Sequence, residues 1–218
     1  MAVINKEFLN KSMSMQLLDA RLAHIFNGDH KVLVTSSFGT TSAILLHAIN
    51  RVKPGYPIYF IDTKFHFDAT IAYKRHLTNL MNLNVIDLRP DDWKHEFTEK
   101  DKTWKKDPDF CCQINKVEPL QTIRQEYSVW VSGLMYFQSG HRSNLEFIEE
   151  KDGMYKYYPV LDWKPSMVQD YFEQFGLPRH PLQNRGYDSI GCTHCTQKGA
   201  CRSGRWQFSE KTECGLHL

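Results

Sequence analysis

The stretch KVLVTSSFGTTSAILLHAIN, residues 31–50, decides the fold class of this 218-residue chain. Its first five residues form a short apolar run typical of a buried strand, and 42–50 has the apolar spacing of a helix. Between them, 36–41 contains small residues apart from Phe38, as in a tight strand-to-helix turn. We therefore predict a β-loop-α unit at the start of an α/β fold.

Further strands and helices are predicted in alternation along the chain. Strands at 58–61 and 84–88 flank a helix at 69–80, and a strand at 128–132 follows a helix at 115–127. Strands that alternate with helices form parallel sheets whose two faces are both covered. The sequence therefore predicts a Rossmann-like α/β fold with a mostly parallel sheet flanked by helices.

Three more predicted elements frame this sheet. They are an amphipathic helix within 15–26, a hairpin at 149–158 and a helix that starts at Pro165. We place them in one nucleotide-binding α/β domain, 1–190. The segment 191–218 of the same domain is predicted to be irregular and to contain several cysteines, with a mobile tail.

Composition and charge exclude several classes of protein. The chain carries 27 Lys and Arg against 25 Asp and Glu, far from the basic excess of non-specific nucleic-acid binding. It has no run of roughly 20 apolar residues that could span a bilayer and no signal-peptide pattern. We expect a soluble cytoplasmic protein that binds neither nucleic acid nor membrane. In that reducing compartment, six cysteines indicate metal or redox chemistry rather than disulfides.

The loops after the first two predicted strands are candidate anion-binding sites. Ligands of parallel sheets bind at the carboxyl ends of strands, where helix N-termini favour negative charge. The first loop contributes Ser36, Ser37, Phe38 and Gly39, and the second contributes Asp62. The first loop lacks the Lys-Ser/Thr ending of a P-loop, so triphosphate hydrolysis is disfavoured. A phosphate or nucleotide site and a simple tight turn both stay open.

Four cysteines form two pairs with metal-ligand spacing. Cys111 and Cys112 are adjacent, and a disulfide between neighbours would close a strained ring. Cys192 and Cys195 form a C-x-x-C pair, the spacing at which a loop directs two thiolates to one metal. Zinc sites usually contain two such pairs, so an iron–sulfur cluster is favoured and structural zinc is the alternative. Cys201 fits a buried free thiol.

The sixth cysteine, Cys214, is the candidate nucleophile. It follows Glu213 and lies near Lys211 and His217, beyond the last predicted element. Cationic neighbours lower the pKa of a thiol and favour the reactive thiolate. The alternative is an incidental cysteine in a solvated tail.

Six motifs occur together between residues 111 and 217. They are Cys111-Cys112 with Lys116-Val117-Glu118-Pro119-Leu120, Asp162-Trp163 through Gly176-Leu177-Pro178, Pro181-Leu182 with Gly186-Tyr187, Ile190-Gly191-Cys192 with Cys195, Arg202 with Gly204-Arg205-Trp206, and Glu213-Cys214-Gly215-Leu216-His217. With the first loop and Asp62-Thr63, they make residues 30–218 resemble the assimilatory sulfonucleotide reductases. The resemblance implies an adenine-nucleotide α-hydrolase-like fold.

The two cysteine pairs resemble those of the adenylyl sulfate (APS) reductases, which hold a [4Fe-4S] cluster. The resemblance thus implies that Cys111, Cys112, Cys192 and Cys195 hold such a cluster. It also implies that Cys214 attacks the sulfonate sulfur of APS, expels AMP and forms a Cys–S–SO3⁻ adduct. Thioredoxin or glutaredoxin would then release sulfite. The family's anion-binding positions correspond to Lys116, Arg202, Arg205 and His217.

The chain departs from the family after its strand at 128–132. Relatives commonly have a Gly-x-Arg-Arg segment there, whereas this chain has no arginine until Arg142, which we consider the substitute. The first loop also has Thr40-Thr41 in place of an acidic pair. These differences leave open a reductase of 3′-phosphorylated APS (PAPS), or of both substrates. The sequence does not decide the oligomeric state, so a homo-oligomer also stays open.

Two further classes of function were weighed. An ATP-dependent thiolation enzyme would need a Ser-Gly-Gly-x-Asp-Ser loop, which 36–42 does not supply. A zinc-stapled binding module would have a dispensable Cys214.

Overall fold

The computed structural model describes residues 4–216, and an α/β sheet organises this part of the chain. The strands within these residues are β1 (Val32–Val34), β2 (Pro57–Ile61), β3 (Asn84–Leu88), β4 (Val129–Val131), β5 (Ile148–Lys151) and β6 (Met154–Tyr157). The α-helices are α1 (Lys6–Ser12), α2 (Leu18–Phe26), α3 (Ser42–Val52), α4 (Asp68–Met81), α5 (Asp92–Asp101), α6 (Thr103–Lys106), α7 (Pro108–Cys112), α8 (Glu118–Arg124) and α9 (Pro165–Gln174).

The strands lie in the order β3-β2-β1-β4-β6-β5. β1, β4 and β6 pair in parallel, β2 and β3 pair in parallel, and β5 lies antiparallel on β6. A parallel bridge between Thr35 and Tyr59 places β2 beside β1, and the Ser36 N–H donates to the Tyr59 carbonyl at 3.0 Å. The predicted Rossmann-like, mostly parallel sheet is confirmed. Its strand order reverses between β1 and β4.

Burial on both faces explains the apolar run of β1. Val32 and Val34 pack into one hydrophobic cluster, while Leu33 packs into a second cluster with Trp130 of β4. All three residues of β1 are at most 1% exposed. A strand covered on both faces reads as a continuous apolar segment, because neither side of the pleat meets water.

The helices between β3 and β4 differ most from the prediction. α5, α6 and α7 were not predicted, since this polar region has little apolar periodicity. The predicted helix at 115–127 is instead a π-helical turn, Gln113–Val117, followed by α8. α7 begins with Pro108 after Asp107, whose side chain accepts the Phe110 N–H at 2.9 Å. Proline after an aspartate cap is a helix-start signal that the sequence did contain.

The other predicted elements lie close to their expected positions. α2 begins at Leu18 rather than near Met15, because Met13–Met15 forms a separate 3₁₀ turn. α1 precedes it and was not predicted. Among the helices within residues 4–216, none has the length and apolar character needed to cross a bilayer. The predicted domain division at residue 190 stays a prediction.

Candidate active site

A cleft of ≈ 480 Å³ lies at the carboxyl ends of β1 and β4, and we call it the switch-point cleft. Ser36, Ser37 and Gly39 line one wall, and Ser132 and Gly133 line another. Ligands of open α/β sheets bind where the strand order reverses. The N-terminus of α3 also opens here, and no side chain caps it, so the cleft suits an anionic group.

Two of the predicted loop residues do not line the cleft. Phe38 is fully buried with φ 48°, and its ring packs edge-on against Phe60 at a centroid distance of 5.5 Å. Asp62 accepts a hydrogen bond from Arg89 Nε at 3.0 Å. Burial alone would raise the pKa of Asp62, but the hydrogen bond from Arg89 lowers it. Roles for Phe38 and Asp62 toward a substrate stay predictions. His217 lies outside the described residues.

Cys214 lines the switch-point cleft beside a buried lysine. Its Sγ lies 3.5 Å from Lys116 Nζ. Lys116 sits in the π-helical turn and is 9% exposed. Burial alone would lower the pKa of Lys116, but the sulfurs of Cys192, Cys214 and Cys112 raise it well above its ordinary value. Lys116 therefore carries its charge beside the candidate nucleophile, where it favours the thiolate.

Glu213, the residue before Cys214, is fully buried in a network of polar groups. Arg142 donates from Nε to Oε1 at 2.8 Å and from Nη2 to Oε2 at 3.0 Å. Arg202 Nη2 donates to Oε2 at 2.9 Å, and Ser139 Oγ donates to Oε1 at 2.9 Å. Burial alone would raise the pKa of Glu213, but the two arginines and Ser139 lower it to about 2. Arg142 and Arg202 thus meet a carboxylate of the chain itself.

Arg205 lines the switch-point cleft from the segment after the C-x-x-C pair. Its Nε donates to the Cys195 carbonyl at 3.1 Å, and its guanidinium lies 4.2 Å from the centre of the Trp206 ring. The side chain passes directly over Gly191, where an added Cβ would lie 2.7 Å from Arg205 Cζ. Glycine at position 191 therefore lets the guanidinium reach the cleft.

The four predicted metal ligands line one small cavity, which we call the cysteine cavity. Its lining includes Cys111, Cys112, Cys192 and Cys195, together with Lys116. Cys111, Cys112 and Cys192 are at most 7% exposed. Burial, and then the negative charges of Cys192 and Cys195, raise the pKa of Cys111 to about 12. The two cysteine pairs, 80 residues apart in sequence, are thus brought together.

Polar and aromatic groups surround these sulfurs. Thr63 Oγ1 lies 3.3 Å from Cys192 Sγ, and Asn115 Nδ2 lies 3.7 Å from Cys111 Sγ. Trp104 stacks on His194 over the cavity at a centroid distance of 3.7 Å. Within residues 4–216, no three His, Cys, Asp or Glu side chains are grouped so as to hold a metal ion. By their chemistry the four thiols are soft donors, which both an iron–sulfur cluster and structural zinc accept.

The remaining cysteine, Cys201, was predicted to be buried, and that prediction is wrong. Cys201 is exposed, with φ 51° in a turn, and its N–H donates to Asp188 Oδ2 at 3.0 Å. All six cysteines lie within the described residues, and no two of them form a disulfide.

Sequence reasoning missed Glu213 as a site residue. It was considered only as a neighbour of Cys214, and the partner Arg142 lies 71 positions earlier. Lys211 was a candidate neighbour of the thiol, and it pairs with Asp109 of α7. Burial alone would lower the pKa of Lys211, but Asp109, Cys112 and Cys214 raise it. A short motif shows which residues occur together, but it does not show which distant side chain each one meets.

Sequence comparisons with known proteins identify the family of this chain. Residues 31–198 match the family model described as "Phosphoadenosine phosphosulfate reductase domain". The chain is 36% identical over 195 residues to an adenosine 5'-phosphosulfate reductase of Streptomyces coelicolor, covering 84% of this chain and 80% of that relative. It is 38% identical over 199 residues to a phosphoadenosine 5'-phosphosulfate reductase of Buchnera aphidicola, covering 86% and 81%.

A comparison with solved structures also finds a sulfonucleotide reductase. The crystal structure of phosphoadenylyl-sulfate reductase from Candida auris, in complex with phosphate, is similar with a TM-score of 0.76 and 25% sequence identity. The match covers 90% of this chain and 99% of that one.

Proposed function

This chain belongs to the phosphoadenosine phosphosulfate reductase domain family, and from that membership we propose that it reduces APS to sulfite and AMP. It is a sulfonucleotide reductase, an enzyme of sulfate assimilation. The observation that carries the proposal is the position of Cys214, 3.5 Å from the Lys116 ammonium in a cleft at the sheet's switch point.

The proposed reaction begins with attack of the Cys214 thiolate on the sulfonate sulfur of APS. A bond forms between the two sulfurs, and the bond from that sulfur to the bridging phosphate oxygen breaks. AMP leaves with the electron pair, and Cys214 carries the sulfonate. Negative charge grows on the departing phosphate, so a nearby cation lowers the barrier. Lys116 and Arg205 line the cleft and are the groups best placed to supply it.

A second thiol completes the reduction. Its thiolate attacks Cys214 Sγ, sulfite leaves with the electron pair of the sulfur–sulfur bond, and a mixed disulfide forms. A further thiol of the same reductant resolves that disulfide and restores Cys214. A dithiol protein of the thioredoxin or glutaredoxin class supplies the two electrons. A reducing cytoplasmic location suits this chemistry and six cysteines of which no two form a disulfide.

We propose that Cys111, Cys112, Cys192 and Cys195 hold a [4Fe-4S] cluster. The support is that four soft donors line one cavity, with Asn115 and Thr63 in hydrogen-bonding positions. When bound, the cluster would connect α7 with the C-terminal segment and supply negative charge near Lys116. Lys116 lines both the cysteine cavity and the switch-point cleft. No electron needs to pass through the cluster, because thiols supply both electrons of the reduction.

Mass spectrometry tests the nucleophile. We expect incubation with APS and no thiol reductant to add a sulfonate to the Cys214 peptide, and Cys214→Ser to abolish it. Cys201→Ser is the matched control, since it removes an exposed thiol and should leave the adduct unchanged. An enzyme that keeps its activity after Cys214→Ser would refute the assignment.

PAPS is the alternative substrate, because proteins named for either substrate match this chain at similar identity. Comparison of kcat/KM for APS and PAPS decides between them, and a higher value for PAPS would contradict the proposal.

Iron analysis tests the cluster. We expect about four irons per chain and absorbance near 400 nm, whereas one zinc and no iron would refute the cluster.

A further inference from the structure

We propose that Glu213 is a positioning residue: its carboxylate fastens the tail to Arg142 and Arg202 and so holds Cys214 beside Lys116. This inference rests on the proposed role of Cys214 as the nucleophile. It assigns Arg142 and Arg202 a task that needs no substrate. We refer to residues 211–216 as the tail.

The contacts of Glu213 join the tail to two separate parts of the fold. Arg142 lies between β4 and β5, in a 3₁₀ turn, and Arg202 lies after the C-x-x-C pair. Both guanidinium groups bond the same carboxylate, and Arg142 does so with two parallel hydrogen bonds. Such bidentate pairs fix the orientation of both partners. The residue that follows, Cys214, is therefore constrained in place.

Burial makes this attachment selective for a carboxylate. The side chain of Glu213 is 0% exposed, and those of Arg142 and Arg202 are 7% and 14% exposed. Removing one partner of a buried ion pair leaves an uncompensated charge, which is strongly unfavourable. A neutral residue at position 213 would leave two buried cations facing each other without a counter-charge. We expect the tail to leave this position in that case.

Residues on both sides of Glu213 also contact the fold, so the tail is attached at several points. Lys211 pairs with Asp109 of α7, the helix that carries Cys111 and Cys112. Leu216 packs against the second hydrophobic cluster, which includes Leu33 and Trp130. A Cβ at Gly215 would lie 3.7 Å from Cys112 Cβ, so the backbone after Cys214 lies against the cysteine cavity. Among these contacts of the tail, the ion pairs of Glu213 with Arg142 and Arg202 are the buried ones.

The first test uses no substrate and measures access to Cys214. In Glu213→Gln, which keeps the side chain's size and removes its charge, we expect iodoacetamide to alkylate Cys214 at least fivefold faster than in the wild type, measured at a pH high enough to ionise the thiol fully in both proteins so that only access differs. N-acetylcysteine added to the same sample is the reference for the reagent's intrinsic rate, which should not change. Glu210→Gln is the matched control, because Glu210 lies on the same segment and is exposed. An unchanged rate at Cys214 in Glu213→Gln would overturn the inference.

The second test separates positioning from substrate binding. We expect Glu213→Gln to slow single-turnover formation of the Cys214 sulfonate at least tenfold. Binding of AMP should stay within twofold of wild type. A loss of AMP binding equal to the loss of rate would assign Glu213 to the binding site and overturn the inference.

A double-mutant comparison identifies the partner. If Glu213 acts through Arg142, Glu213→Gln combined with Arg142→Met should be no slower than the slower single variant. Multiplied losses would count against the pairing. If Glu213→Gln does not fold, Ser139→Ala removes one bond to the same carboxylate and should raise the alkylation rate in the same direction. Failure of the wild type to form any sulfonate would refute the proposed function, and the alkylation result would still decide the role of Glu213.

Discussion

Replacing Lys116 with methionine should slow the reactions of Cys214 while leaving the fold intact. The ammonium lies 3.5 Å from the sulfur and is buried, so solvent screens it weakly. At an effective dielectric constant of about 20, two unit charges at this distance attract by about 5 kcal/mol. Only about 1.4 kcal/mol of that is needed for a tenfold change in the thiolate population. We therefore expect at least tenfold slower alkylation of Cys214 at pH 7.

The assay follows alkylation of the Cys214 peptide by mass spectrometry, with iron measured in the same samples. Lys198→Met is the matched control, since Lys198 is an exposed lysine near the C-x-x-C pair. It should change neither the alkylation rate nor the iron content. Alkylation in Lys116→Met that is as fast as in the wild type, at equal iron content, would refute the electrostatic reasoning.

Two other predictions concern packing and pH. Gly191→Ala should place a methyl group 2.7 Å from Arg205 Cζ, displace that flexible guanidinium at little cost in the free energy of unfolding, and reduce kcat/KM for APS; an unchanged kcat/KM would contradict it. Burial lowers the pKa of His180 to about 4. His180 is neutral in the fold, because its Nδ1 accepts the Leu182 N–H at 3.1 Å. Its contribution to stability is thus complete above pH 6.5 and lost as the pH falls through 4. We expect the free energy of unfolding of a His180→Gln variant to fall less steeply than that of the wild type between pH 6.5 and 4. Urea titrations at several pH values measure this, and the same decrease in both proteins would contradict the prediction.

The sheet was predictable because its signals are local. β1 is buried on both faces, so its sequence is continuously apolar, and small residues mark the turn that follows. α5 was not predictable in this way. Its hydrophobic side chains, Trp93 and Phe97, are largely exposed, at 70% and 49%, so the helix has no apolar stripe facing the core.

The candidate site was predictable in its residue types and less so in its pairings. Cys111, Cys112, Cys192 and Cys195, predicted together as metal ligands, line one cavity, and their role as ligands stays a prediction. Arg142 was predicted to replace, as a substrate contact, the arginine pair that relatives have after the strand at 128–132, and its guanidinium meets a different anion, the carboxylate of Glu213. Which anion an arginine meets depends on tertiary contacts that periodicity does not encode.

The π-helical turn at Gln113–Val117 restricts the length of the chain around it. α7, this turn and α8 form one helical run, in which Cys111 and Cys112 face the cysteine cavity and Lys116 faces Cys214. Each residue added to or removed from a helix rotates everything beyond it by about 100°. An insertion or deletion between Cys112 and Lys116 would turn the cysteine pair and Lys116 away from each other. Residues 108–124 should therefore tolerate substitutions on their exposed face, while the number of residues between Cys112 and Lys116 stays fixed.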